Sequence, residues 1–387
     1  MAVTACTAYE PVSSGEIHTI DIDRADEVER RHALLVEHLA NTGDDGLLIQ
    51  RPSNFAWLTC GGENIRAGTC DTIATLFISR DARVVLCNSV DSGQIFDRQL
   101  NGLGFQLKER PWDESRDVLL QDLCRGRRLA TDTPRDGLRL ADKELVDFRR
   151  VLGEREHTQL RALGRAVTHA VEATARTCKQ GETESEVAGQ LAHRLLRHEV
   201  TPVRLQVMAD GQGHRYRHWG YGTDAIERHC VLSAVGRRHG LHVAVTRTVC
   251  FGQPPQTLLE SHQLASLIEA TGIYFSKGGW GISDVWQRVQ RIYEKYGVPE
   301  EWRQADQGEV IGYESSEVPI TPRGTYRLQT GHAVAWRPSV NAAAVGDTIL
   351  VRPDGCEQLT TTGEWPQLGV QAKGTAIDLP DVLCREV

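Results

Sequence analysis

The apolar positions of the chain change period several times. From Ala25 to Leu39, the residues Val28, Leu34, Leu35, Val36 and Leu39 recur at near-helical spacing among Arg, Glu and His, which predicts an amphipathic helix. Ahead of it, Met1 to about Ile20 carries no pattern and is expected to be an arm or lead-in. Short apolar runs at Gly46–Gln50, Thr72–Ser79 and Arg83–Cys87 read as strands with helical stretches between them, and Asp132–Arg139 is polar and turn-rich. That alternation predicts a small α/β domain over residues 1–150. A continuous helical block is expected from about Leu140 to Cys178, long enough to connect two domains. After Gln180-Gly181, Thr183 and Glu186 form a capping box for a helix carrying Val187, Leu191 and Leu195. Beyond His198, β-branched runs separated by Gly and Pro are interrupted by helices at about Pro255–Thr271 and Ser283–Tyr296. Residues 151–387 are therefore expected to form a domain with a curved, mostly antiparallel sheet, and the overall fold class is α+β.

Composition narrows the function. The 387 residues are 40% hydrophobic and 25% charged, within the range of globular chains. No apolar run approaches the roughly 18 residues of a membrane span. The segment Met1–Asp21 lacks the layout of a signal peptide, so a cytoplasmic location is expected. The formal charge of −8 disfavours nucleic acid and favours a small-molecule or peptidic ligand. The ten cysteines include no CxxC pair and read as reduced, structural thiols, Cys60 and Cys70 among them. Only six Lys stand among the 44 basic residues, a bias of genome composition rather than mechanism. His229, His239 and His242 fall on two strands of a hairpin and are expected to face solvent rather than bind metal.

Four segments, in order, carry a resemblance. They are Gln180-Gly181-Glu182-Thr183-Glu184-Ser185-Glu186-Val187-Ala188; Ala209-Asp210-Gly211 with His218-Trp219; Gly236 and Gly240 with Val245-Thr246-Arg247-Thr248; and Gly308, Gly312, Tyr313-Glu314 and Glu317-Val318-Pro319. Leu328, Gly331 and Pro338, then Asp347-Thr348-Ile349-Leu350-Val351 and Asp354-Gly355, continue the series. Together they resemble the creatinase/prolidase (M24) family, whose catalytic domain has the pita-bread fold. Pro52-Ser53-Asn54-Phe55-Ala56-Trp57-Leu58 resembles the family's smaller first domain.

The resemblance exposes losses. The peptidases of the family hold two metal ions with two Asp, one His and two Glu, and the matching positions are Ala234, Ala244, Glu309, Arg337 and Gly346. One Arg charge at about 4 Å and an effective dielectric near 20 opposes a dication by roughly 8 kcal/mol. No metal and no cofactor are therefore expected. Two further peptidase histidines fall at Ala305 and Ser316, which speaks against proline-specific peptidase activity.

His218 survives. In creatinase, a metal-free member of the fold, the matching histidine is the acid/base for a C–N bond in a small guanidino acid, and the resemblance implies that office here. An imidazole suits it because its unperturbed pKa lies near neutrality. Glu309 either orients that imidazole, holds a substrate N–H group, or fills the former metal site in a salt bridge with Arg337. Arg337 is alternatively a clamp for a substrate carboxylate. Trp336, Glu314 and Arg66 complete the substrate-binding candidates, Arg66 because creatinase-like homodimers reach across with their first domain. Arg247 matches a framework position. The expected function is a metal-independent hydrolase acting on an amide or amidine-type C–N bond of a small carboxylated molecule, in a homodimer. The alternatives are a metal-free lyase on the same fold and a non-catalytic peptide- or protein-binding pseudo-peptidase, as in a histone-chaperone subunit. Divergent proteins of this kind also serve antibiotic pathways, lincosamide assembly among them. In that setting an N-acyl amino acid or thiol conjugate is the implied substrate.

Overall fold

The computed structural model describes residues 20–386, so the expected arm before Ile20 lies outside the described residues. The chain divides after Asp142 into two compact units. In the first, α1 (Ile22–Thr42) starts where the Asp21 carboxylate accepts the Arg24 N–H at 2.9 Å. It stops at Gly43, whose φ of 71° suits glycine. Val28, Leu35 and Leu39 form its buried face, as their spacing predicts.

The sheet of this unit comprises β1 (Gly46–Ile49), β2 (Ala74–Ile78), β3 (Arg83–Asn88), β4 (Gln106–Arg110), β5 (Leu129–Thr131) and β6 (Arg139–Leu140), in the order β4-β3-β2-β1-β5-β6. Helices α2 (Pro52–Leu58), α3 (Ser89–Gly93) and α4 (Asp117–Cys124) connect the strands. β1 is buried throughout, and the buried Asp132 carboxylate accepts the Gln50 and Arg51 N–H groups at 2.9 Å to fix the turn into α2.

In the second unit the expected continuous helix is two helices, α5 (Asp142–Arg150) and α6 (Glu154–Thr177). Gly153 separates them. Its N–H is taken by the Glu156 carboxylate at 3.0 Å, while the Leu152 N–H turns aside to the Gly331 carbonyl, so the hydrogen-bond ladder cannot run through. The Thr183–Glu186 capping box opens α7 (Glu184–Arg197) as predicted.

Next come β7 (Thr201–Ala209), β8 (His229–Arg238) and β9 (Leu241–Phe251), antiparallel, with the short β19 (Leu383–Arg385) parallel to β9. His239 and Gly240 both have positive φ and turn β8 into β9. Only His239 of the three hairpin histidines is exposed. His229 and His242 are buried, contrary to expectation, because α6 packs on β8 and β9 while neighbouring strands pack on β9. Burial pushes the His242 imidazole down to about 4, and its Nδ1 lies 3.2 Å from the Gly312 carbonyl.

After α8 (Gln256–Phe275) and α9 (Ile282–Lys295), a second antiparallel sheet is built from β10 (Gly308–Ile311), β11 (Val318–Pro319), β12 (Ala333–Trp336), β15 (Asp347–Arg352) and β16 (Gly355–Gln358), in the order β11-β10-β12-β15-β16. Two small hairpins, β13 (Ser339–Val340) with β14 (Ala343–Ala344) and β17 (Gln367–Ala372) with β18 (Thr375–Pro380), complete the unit. The Thr246 N–H donates to the Gly346 carbonyl at 2.8 Å and joins the two sheets. Trp286, Tyr293, Leu328 and Trp336 lie in the core beneath the second sheet. No helix among the described residues is long and apolar enough to cross a membrane.

Candidate functional site

A cavity of about 40 Å³ opens where the two sheets of the second unit meet. Strand alternation puts Arg204, Gln206 and Met208 of β7 on its wall, with Ser233 of β8 and Thr246 of β9 beside them. The loop after β7 carries His218 to the mouth, and three polar groups fix that loop. The Gln206 amide donates to the carbonyls on either side of His218, Arg217 at 3.1 Å and Trp219 at 2.9 Å. The fully buried Glu184, in the first turn of α7, accepts from Trp219 Nε1 at 2.8 Å, Gly222 N–H at 2.7 Å and Ala209 N–H at 2.8 Å. The loop is closed at its base by Asp210, whose carboxylate accepts the N–H groups of Glu227, Arg228 and His229 at 2.7–3.0 Å.

His218 Nε2 lies 3.0 Å from Asp306 Oδ1. The other Asp306 oxygen meets Arg337, and the same Arg337 Nη2 lies 2.6 Å from Glu309 Oε1. The four side chains thus form a chain, His218–Asp306–Arg337–Glu309, that runs from the mouth, where His218 is 59% exposed, to the nearly buried Glu309. Burial pushes the Glu309 carboxyl up to about 7. The Ser316 hydrogen bond opposes this, the Asp306 charge adds to it, and the Arg204 guanidinium acts against it.

The residues at the five positions that the resemblance matches to metal ligands are a poor set of donors for a dication. Ala234 and Ala244 present methyl groups, and Gly346 presents none. A Cβ at Gly346 would sit 3.0 Å from the Trp336 carbonyl and 3.1 Å from Thr246 Oγ1, so a longer side chain there is crowded by its neighbours. The remaining carboxylate, Glu309, is bound by a guanidinium. Among the described residues no group of three or more His, Cys, Asp or Glu is arranged to hold a metal ion.

Of the residues expected at the site, His218, Glu309 and Arg337 come together. It is Asp306, absent from the expectation, that meets the imidazole, and Glu309 instead pairs with Arg337. Trp336 is not on the cavity wall. Its ring is fully buried against Gly272 and Gly308, with Nε1 donating to Ser276 Oγ at 3.1 Å, so the expected substrate contact is corrected to a core role. The physical reason is alternation. Neighbours in an extended segment face opposite ways, so Arg337 and Trp336 cannot share the cavity.

Glu314 is half-buried and does not line the cavity; its N–H donates to Glu317 Oε1 at 3.1 Å. Glu317 is taken by Arg149 at 2.8 and 3.0 Å. Arg66 belongs to the first unit, where it is half exposed and paired with Asp91 at 2.9 Å. Arg247 is a framework residue, buried and donating to Glu172, Asp347 and the Thr360 carbonyl.

Comparison with known proteins agrees with this architecture. The family profile "Metallopeptidase family M24" matches residues 158–353. An uncharacterized peptidase of Staphylococcus aureus (strain MW2) is 21% identical over 348 residues, 84% of this chain and 97% of the relative. The dipeptidase PepE from Mycobacterium ulcerans superposes with a TM-score of 0.75 at 17% identity, over 96% of this chain and all of that one. The prolidase from Pyrococcus horikoshii OT3 gives 0.73 at 17% identity, over 88% of this chain and 98% of that one. At such identities the structural likeness establishes the pita-bread fold and no more.

Proposed function

Because the chain belongs to metallopeptidase family M24, we propose that it is a hydrolase that cleaves an amide or amidine-type C–N bond of a small carboxylated molecule, and that it works without a dication. The single observation that carries the reading is the 3.0 Å contact of His218 Nε2 with Asp306 at the mouth of the cavity. With the Asp306 carboxylate 3.0 Å from Nε2, the imidazole proton is assigned to that nitrogen, which leaves Nδ1 to act on water. In the proposed sequence, Nδ1 takes a proton from water as the water oxygen bonds to the acyl or amidine carbon. The same proton then passes to the leaving nitrogen as the C–N bond breaks. Arg337, held by two carboxylates, is a fixed positive charge beside this path. It stabilises the oxygen or nitrogen on which negative charge develops.

The test is amine release from N-acyl amino acids, guanidino acids, thiol conjugates and short peptides in chelator, by the native protein and His218→Ala. General acid–base groups contribute about 10²–10⁴-fold, and a loss of that size is expected. Turnover within a few-fold of the native value would remove His218 from the mechanism. Elimination in place of hydrolysis is recognised from an unsaturated product. A hit among N-acyl amino acids or thiol conjugates supports a place in antibiotic biosynthesis. A cytoplasmic homodimer is part of the same proposal, and light scattering that reads a single chain would contradict the dimer.

A further inference from the structure

We infer that Arg204 and Ser339 form an anion subsite in this cavity, and that it takes the carboxylate end of the ligand. The identity of that ligand as a substrate rests on the hydrolase reading above, whereas its binding does not.

Arginines in the second unit are, for the most part, matched. Arg337 bridges Asp306 and Glu309, Arg217 pairs with Glu301 at 2.6 Å, and Arg149 and Arg247 have carboxylates of their own. Arg204 differs. It lines the cavity half-buried, makes no hydrogen bond or ion pair among the described residues, and its Nε is buried without a partner. Lining the same cavity, Ser339 is 5% exposed with an unpartnered Oγ, and the largely buried Arg217 has unpartnered Nε and Nη1. Buried donors are ordinarily satisfied, so a cluster of unmatched ones facing one cavity calls for an acceptor supplied from outside the chain.

The charge count points the same way. Three guanidinium groups and one carboxylate, Asp306, line the cavity; Glu301 pairs with Arg217 and Glu309 with Arg337, and burial keeps about half of the Glu309 population neutral near pH 7. A guanidinium offers a planar fork of donors that matches two oxygens of one anion. The cavity's volume of about 40 Å³ exceeds the roughly 10–15 Å³ that a single water needs on the same measure, so it has room for a carboxylate. Arg337, expected from the sequence to be the carboxylate clamp, is already committed to two side chains. The clamp therefore falls to Arg204, and the scissile bond is left toward His218.

Calorimetric titration of the full chain tests this with N-acetylglycine and its neutral amide, N-acetylglycinamide. The native protein is expected to bind the acid about tenfold or more tightly than the amide. Arg204→Gln should abolish that preference, and Arg204→Lys should restore part of it. Equal binding of acid and amide by the native protein, an unchanged affinity in Arg204→Gln, or no acid binding at all would overturn the subsite. The comparison of acid with amide on the native protein needs no variant and stands even where Arg204→Gln does not fold. Acid binding that follows Arg204 without turnover of any compound supports the subsite and counts against the hydrolase reading alone.

Discussion

Arg337→Met removes the charge that lies between Asp306 and Glu309 and keeps an unbranched stem of similar length. In the native protein Glu309 titrates at about 7, against 4.5 for an unperturbed carboxyl. A unit charge at about 4 Å and an effective dielectric near 20 is worth about 4 kcal/mol, so its loss carries Glu309 well above pH 8. A carboxyl whose pKa is raised by folding contributes its stability at low pH and loses it as the pH rises toward the folded value. Near pH 6 Glu309 is protonated in both folded proteins, and it adds nothing to their difference. Between pH 7 and 8 the native group has titrated, whereas the variant must still draw a proton from solution at about 1.4 kcal/mol per pH unit. Through this carboxyl alone the variant is therefore about 1.4 kcal/mol less stable relative to native at pH 8 than at pH 6, or roughly 3–6 °C in Tm. Scanning calorimetry of both proteins at pH 6, 7 and 8 measures it. A gap in Tm that stays constant or narrows with rising pH would refute the assignment of Arg337 as the counter-charge of Glu309.

Gln206→Leu removes the amide that holds the carbonyls on either side of His218. Turnover should fall about tenfold while N-acetylglycine affinity stays within about twofold, and an unchanged kcat would show that Glu184 and Asp210 suffice to fix the loop. Glu269 is fully buried, and burial together with Asp347 raises its pKa well above the carboxylate range, so its contribution to stability is lost as pH rises. Glu269→Gln cannot ionise and should gain on the native protein between pH 5 and 8 by up to about 1.4 kcal/mol per unit, read from urea unfolding at each pH. Trp336→Ala should cost about 3–5 kcal/mol in the same assay, as for a large core side chain. Acid binding by the variant should persist wherever it is folded.

The elements carried by local chemistry were readable in advance. The capping box at Thr183 and Glu186 lies where local chemistry puts it, and the Gly240 turn between β8 and β9 and the glycine and proline anchors around β10 and β12 lie where the family resemblance implies them. Those signals are short in range, since a cap, a positive φ or a strand end is set by residues a few positions apart. Asp306 shows the limit. It sits in the irregular segment before β10 with no pattern around it, and its role exists only because the β7 loop brings His218 to 3.0 Å across almost ninety residues of sequence. Gln206 and Glu184 were hidden for a similar reason, because their work is to accept or donate across the fold. The misplacement of Trp336 was avoidable in principle. Two neighbours at the end of β12 cannot both face the same side, and the apolar one belongs to the core. His239 is exposed as expected, whereas His229 and His242 are not, because alternation tells which residues share a face and not whether that face is covered.

The central claim, hydrolysis by His218 with Arg337 in place of a dication, is tested most directly by titrating Mn²⁺, Co²⁺ and Zn²⁺ into chelator-treated protein while recording bound metal and amine release together. Metal-free chemistry predicts full turnover in chelator, no stoichiometric uptake into the cavity and no rise in rate as each ion is added. Uptake of one or two ions per chain, accompanied by turnover absent from the chelated protein, would contradict it.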